Sequence, residues 1–364
     1  SLLISLDSGI DTLNLDALDS TFDADFTVAG SSDNDPVNVN GLIEVGSGNI
    51  DITSESITFV NGTLSTTGDV TLTTEGAIQD TDAIDDIIAD TLTATINGTG
   101  NFGSGGNSID VTVANLNVDT SADNGDQFIN EIDGLTSLNL NAGTGDITLD
   151  AGDSIQDGDG DDDLIGTTAT ITAGGDFGSS TNPINTNLDN LNVDTAANEA
   201  DQFLSEADTV DIGTLDAANG TITLDEGIFV TGTIESDTVV NDGATLAGSG
   251  TVSGSVTVND GGIVSPGVSP GIIGTGDLIL NSGATFVVEI NTTTPGTGHD
   301  QLGVTGTVNL NGDAGAGSIL DLQVDVNFAA TPLAEIILID NDGTGDAVQP
   351  VAGPRFQGFN EGDT

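Results

Sequence analysis

Five aspartates crowd one short stretch, Gln156-Asp157-Gly158-Asp159-Gly160-Asp161-Asp162-Asp163-Leu164. Carboxylates spaced by two around glycines can turn several oxygens onto one ion, and a hard cation such as Ca²⁺ takes roughly six to eight of them. Asp157, Asp159, Asp161, Asp162 and Asp163 are therefore the first candidate metal ligands, and calcium is the cofactor their chemistry suggests. Asp340, Asp342 and Asp346 form a sparser candidate of the same kind. The competing reading of both groups is a solvated acidic turn.

Two known calcium loops are matched only in part. Gly158, Gly160, Asp162 and Leu164 fit the nonapeptide calcium repeat, but its first glycine and a tandem neighbour are missing. Read as an EF-hand loop, the stretch has Asp at the first, third and fifth positions. Asp162 then stands where glycine is required, and Thr168 where the closing glutamate belongs.

Other chemistry is thinly supplied. The chain has no cysteine, so thiol catalysis and Cys-ligated metals are excluded. Arg355 is its only basic residue besides His299, leaving little to steady the substrate carboxylates in a polyuronate lyase. Paired carboxylates could still hydrolyse glycosides, yet sugar clefts usually offer Trp or Tyr platforms and both are absent. His299, in His299-Asp300-Gln301-Leu302, has no nucleophile motif beside it and reads as a turn residue. The expectation is a protein that is not an enzyme.

Charge sharpens this. Asp and Glu number 59, for a formal net charge of −58. Such a surface repels phosphate backbones, so nucleic acid is not an expected partner. Salt bridges cannot hold the fold together, and self-repulsion should make stability depend on ionic strength or divalent cations. No run of about 18 apolar residues occurs, so direct membrane insertion is not expected either. Methionine is absent even as an initiator, which reads as a fragment of a longer chain.

The elements that must carry these residues come from a duplication. Residues 68–142 return as residues 145–219: Gly68 matches Gly145 at an offset of 77, and Asn117 matches Asn192 at 75. A third copy starts at Gly220 and diverges. Val70 and Leu72 match Ile147 and Leu149, then Ile222 and Leu224, with threonine between each pair. Alternation of period two is the mark of a strand with one buried face. Leu116 and Val118 repeat as Leu191 and Val193, while Phe102 and Phe128 repeat as Phe177 and Phe203; all four phenylalanines are expected to stack in a core.

Two segments carry helical spacing. Residues 82–92 hold Ile84, Ile87 and Ile88, but their counterpart is rich in Gly and Asp, so a turn followed by a strand is expected in both copies. Residues 196–208 are likewise expected to be non-helical, because the matching stretch contains Asn124-Gly125. The Asp-rich turn is expected in one copy only, since Thr81-Asp82-Ala83 stands opposite Gly158-Asp159-Gly160. Asn115, Asn117, Asn190 and Asn192 are expected to form amide ladders between coils.

A 75-residue repeat of short strands suits three or four coils of about 20–25 residues each, the arrangement of a solenoid. The expected fold is all-β, a β-solenoid. Residues 1–225 form a solenoid built on the repeat, and residues 226–364 continue it in denser strand-and-turn text that reads as truncated at its C-terminal end.

The unit at 145–219, with GDITLDAGDSIQD, Gly175-Asp176-Phe177-Gly178 and Asn182-Pro183-Ile184, resembles the repeats of filamentous-haemagglutinin-like bacterial surface proteins over about residues 48–225. The stretch from 248 to 364 resembles the autotransporter-associated passenger repeat. That match is carried by Gly248-Ser249-Gly250, Ser265-Pro266-Gly267-Val268-Ser269-Pro270-Gly271, His299-Asp300-Gln301-Leu302 and Val304-Thr305-Gly306. These resemblances imply a right-handed parallel β-helix in an exported bacterial passenger, extracellular or at the cell surface. They imply display or adhesion, with a host or abiotic surface, a matrix or other copies of itself as partner. A subunit of an extracellular filament or sheath is the alternative. Both families are defined by their scaffold, so no site residues carry over.

Overall fold

A computed structural model of the protein describes residues 1–19, 21–31, 33–158, 160–206, 210–267, 270–311, 316–326, 328, 335–341, 348–349 and 356–357. The chain divides into two compact units, Ser1–Leu188 and Asp189–Thr364. Each is a right-handed parallel β-solenoid.

In the first unit each strand pairs in parallel with its counterpart one coil away, and the register places like residues on like. One column runs Leu2, Phe26, Ile50, Val70, Leu92, Leu116, Leu138, and a second runs Ile4, Val28, Ile52, Leu72, Ala94, Val118, Leu140, Leu164. Along these columns the steps between partners are 20, 22 or 24 residues, as in Ile50 to Val70, Val70 to Leu92 and Leu2 to Phe26. From Phe26 and Val28 onward these columns are buried. Burial of each such side chain contributes about 1.5–3 kcal/mol against an extended chain. The intervening Thr71 and Thr148 are part-exposed, as the alternation predicts.

The two-residue deletion between the copies falls in a turn. Strands Ile87–Ile96 and Leu164–Ala173 are both 10 residues long, and the turn after the first (97–101) is longer than the turn after the second (174–176). Indels at a solenoid corner leave the ladder register intact. Residues 82–86 are indeed a turn feeding the strand Ile87–Ile96, with Ile84 exposed and Ile87 buried.

Carboxylates have a repeated structural use at the corners. Asp126 accepts the backbone N–H of Asp146 at 3.0 Å, Asp146 that of Thr168 at 3.2 Å, and Asp23 that of Ser47 at 2.9 Å. An Asp rung thus satisfies a donor of the next coil where the β-ladder is interrupted. Much of the acidity is therefore bound to backbone rather than to counter-charges.

In the second unit the coil changes length where the text changes. The column Leu224, Val240, Val258, Leu280 advances by 16, 18 and 22 residues. The step from Asp277 to Thr307 is 30 residues and that from Gly317 to Gln357 is 40. Over residues 196–206 the chain is not an α-helix: a single 3₁₀ turn, Ala196–Asn198, precedes the strand Gln202–Glu206, while the rest of the 196–208 segment, 207–208, lies outside the described residues.

Two expectations are corrected. Phe102 and Phe177 are fully buried, but Phe128 and Phe203 are only part-buried, and Gln127 and Gln202 occupy the interior instead. Gln127 Nε2 donates to Val118 O and Thr120 Oγ1, both at 3.2 Å. Gln202 Nε2 reaches Val193 O at 3.4 Å, Thr195 Oγ1 at 3.2 Å and Asp216 O at 3.0 Å. Ile129 and Glu131 share the inward parity with Gln127, so period two forces Phe128 out.

The expected amide ladder also lies elsewhere. Asn115 and Asn117 sit inside the strand Ile109–Asp119, and Asn115 Nδ2 meets Thr91 Oγ1 at 3.3 Å. The ladder forms in the second unit, where Asn281 donates to Asn259 (2.9 Å), Asn259 to Asn241 (3.0 Å) and Asn241 to Asp225 (2.6 Å). A ladder needs an amide or carboxylate at the same corner of successive coils, which Asp225, Asn241, Asn259 and Asn281 provide. Threonine beside Asn115 breaks that repetition.

Candidate metal centre

Among the described residues, one oxygen from each of Asp80, Asp82 and Asp86 lies within 4.8 Å of the others. The register explains how carboxylates come to be so deep. In the small sheet of the first unit, Leu15, Val39 and Phe59 form an inward column, and Asp80 takes the next place in it at the end of the strand Ile78–Asp80. An apolar position is thus occupied by an acid. Asp86 immediately precedes Ile87, whose partners are Leu64 and Val111, and it is fully buried.

The turn between them is self-organised. Asp82 N donates to Asp80 Oδ1 at 2.9 Å, and Ile84 N to Asp82 Oδ1 at 2.8 Å. Asp86 Oδ2 accepts the N–H of Asp110 at 2.9 Å. Each aspartate therefore ties one oxygen to backbone. Asp82 Oδ2 and Asp86 Oδ1 are buried and have no hydrogen-bond partner.

The electrostatics follow. Burial, with the neighbouring Asp80, Asp110 and Asp82 charges adding to it, pushes the Asp86 carboxyl up to about 9 against a single backbone donor. Burial also raises Asp80 above the ordinary aspartate range. At Asp35 the balance goes the other way: donors from Ser31 N and Oγ (both 2.9 Å) and Asp11 N (3.0 Å) outweigh desolvation and hold the carboxyl below that range. At Asp86 desolvation is the largest influence and one backbone donor opposes it.

The aspartates singled out by composition are placed as follows. Asp157 and Asp163 are buried, Asp161 is exposed, Asp162 is part-buried, and Asp159 lies outside the described residues. Asp163 Oδ2 accepts Asn185 N at 2.8 Å, and Asp162 Oδ2 is 3.5 Å from Asn187 Nδ2. Asp340 is exposed in the strand Ile339–Asn341, while Asp342 and Asp346 lie outside the described residues.

The acidic turn is thus not a property of the second copy alone. Asp80, Asp82 and Asp86 align at an offset of 77 with Asp157, Asp159 and Asp163. The shared pattern, Asp-x-Asp-x-x-x-Asp, was the available signal. The intervening letters, TxAID against GxGDD, conceal it.

Elsewhere, His299 is buried between backbone carbonyls, with Nδ1 3.3 Å from Thr292 O and Nε2 3.3 Å from Ile337 O. Asp300 accepts Gly271 N at 2.8 Å and Glu289 N at 2.7 Å. Both side chains serve as cross-ties of a long turn.

No family model matches the chain, and neither a curated protein nor a solved structure matches it.

Proposed function

We propose that this chain is part of the stalk of a large exported bacterial surface protein, acting by extension and display rather than by catalysis. The observation that carries this reading is the ladder itself. Each strand is recognised by the coil before and the coil after it, through columns such as Phe26, Ile50, Val70, Leu92, so coils can be added without inventing a new core. The charged side chains are almost all carboxylates, 59 Asp and Glu against a single Arg. Such a surface stays solvated in saline surroundings and resists collapse onto nucleic acid or anionic lipid. The residues similar to filamentous-haemagglutinin-like and autotransporter-associated repeats support an extracellular or cell-surface location and adhesion as the service.

Deleting the segment that encodes residues 1–364 in the native host tests this. Loss of attachment to surfaces or matrix, with export of the remaining protein intact, supports the adhesive stalk. Unchanged attachment, together with turnover of a polyuronate or glycan by the purified chain, overturns it. Loss of regular end-to-end fibres in the deletion strain would instead assign the chain to a filament.

A further inference from the structure

We infer that Asp80, Asp82 and Asp86 form a binding site for a divalent cation of the calcium class, which closes one corner of the first solenoid unit.

Three observations carry this independently of the stalk reading. One carboxylate oxygen from each of the three lies within 4.8 Å of the others. Ca²⁺–oxygen distances of roughly 2.3–2.6 Å put opposite ligands about 4.6–5.2 Å apart, so one ion can reach all three. Next, Asp86 is fully buried and its Oδ1 has no hydrogen-bond partner, and Asp82 Oδ2 is buried and partnerless too. Buried polar atoms in folded proteins are almost always satisfied, and a pair of orphaned carboxylate oxygens in one turn points to a missing positive partner. Finally, the chain carries few cations of its own: it has no lysine, one arginine, Arg355, and one histidine, His299.

The chemistry of the donors selects the ion. All are carboxylate oxygens, without imidazole or thiolate, which suits hard cations and disfavours zinc or copper. The geometry is irregular and partly backbone-tethered, through Asp82 N on Asp80 and Ile84 N on Asp82. Calcium tolerates such a set with water completing its shell. Magnesium, which requires a near-ideal octahedron, does so less well.

The position gives the ion a mechanical role. Asp80 ends one strand, Asp86 opens the next, and Asp86 also holds Asp110 N of the following coil. A cation there would fasten two faces of one coil and the coil after it with a single centre.

Isothermal titration of the chelator-treated chain with CaCl₂ in 0.15 M NaCl, read beside its melting temperature, tests the inference. The comparison proteins are Asp82→Asn and Asp86→Asn. Asp82 is only part-buried, and Asn at 86 can still accept from Asp110 N, so both variants should fold; circular dichroism checks that they do. The expected result is saturable binding that raises the wild-type melting temperature, with one fewer ion bound and a smaller rise in each variant. Binding of the same number of ions by wild type and both folded variants overturns the inference. So does binding that never saturates in 0.15 M salt, which marks only a diffuse ion atmosphere around an acidic surface. A tenfold excess of Mg²⁺ should displace calcium weakly.

Discussion

Asp86 and Asp163 occupy equivalent places in the two copies of the repeat, and each holds the backbone of the next coil through its Oδ2, Asp86 from Asp110 N at 2.9 Å and Asp163 from Asn185 N at 2.8 Å. Asp110 and Asn185 are themselves equivalent, at an offset of 75. The duplication has therefore preserved a buried acid and its backbone donor while the turn between them changed. In this fold an aspartate at a corner is first a backbone acceptor, and it becomes a cation ligand where its second oxygen is left over.

Stability in the absence of divalent cations should fall as pH rises. Burial pushes Asp86 up to about 9 and Glu131 up to about 8, from ordinary values near 3.8 and 4.5. Between those limits the folded state binds more protons than the unfolded one. The stability contributed by the protonated forms is thus complete below about pH 4 and is lost as pH climbs through 8 and 9. Denaturant titration in EDTA should show a lower unfolding free energy at pH 8.5 than at pH 5.5, by about 1.4 kcal/mol per pH unit for each fully coupled proton. Asp86→Asn should flatten the slope.

Replacing the interior glutamine should be costly. Gln127→Ala removes the amide that bonds Val118 O and Thr120 Oγ1, leaving a buried carbonyl without that donor. The expected loss is about 2–3 kcal/mol, and Gln202→Ala should behave alike. Phe128→Ala, on the outward face, should cost less than Gln127→Ala. The reverse order of denaturation midpoints would show that the phenylalanine holds the core.

Two glycines should separate cleanly. A Cβ at Gly41 would overlap the carbonyl oxygen of Asp16 in the adjacent coil, so Gly41→Ala should lose about 3 kcal/mol or more by forcing the coils apart. A Cβ at Gly106 would meet nothing within 4 Å, and Gly106→Ala should leave the melting temperature nearly unchanged.

Ionic strength should act on the whole chain. With a formal charge of −58, raising NaCl from 10 mM to 150 mM shortens the screening length from about 30 Å to about 8 Å and should raise the melting temperature. A triple change of Asp157, Asp159 and Asp161 to Asn removes three charges at one turn. If those residues hold calcium it should also remove a bound ion in titration, and if they form a solvated turn the calcium isotherm should be unchanged.

The scaffold was largely legible because its physics is local. Val70 and Leu72 alternate with threonine in every copy, and that periodicity alone names the buried face. The Gly- and Asp-rich second copy likewise excludes a helix for Ile84, Ile87 and Ile88. Where sequence and structure differ the cause is shared. Hydrophobicity points Phe128 inward, yet parity with Ile129 and Glu131 decides strand facing, and the buried amide of Gln127 is stabilised by Val118 O and Thr120 Oγ1, partners no composition reveals. The Asp80, Asp82, Asp86 turn is inconspicuous in the sequence because its aspartates are diluted by Ala and Ile. Asp80 is buried because it continues the inward column of Val39 and Phe59, which is information in the register rather than in the turn.

The stalk reading is tested most directly by immunogold electron microscopy of intact, unpermeabilised cells of the native host, using antibody raised against residues 1–188. The account predicts label on thin projections beyond the envelope, removed by mild external protease. Label confined to the cell interior, and untouched by that protease, would contradict it.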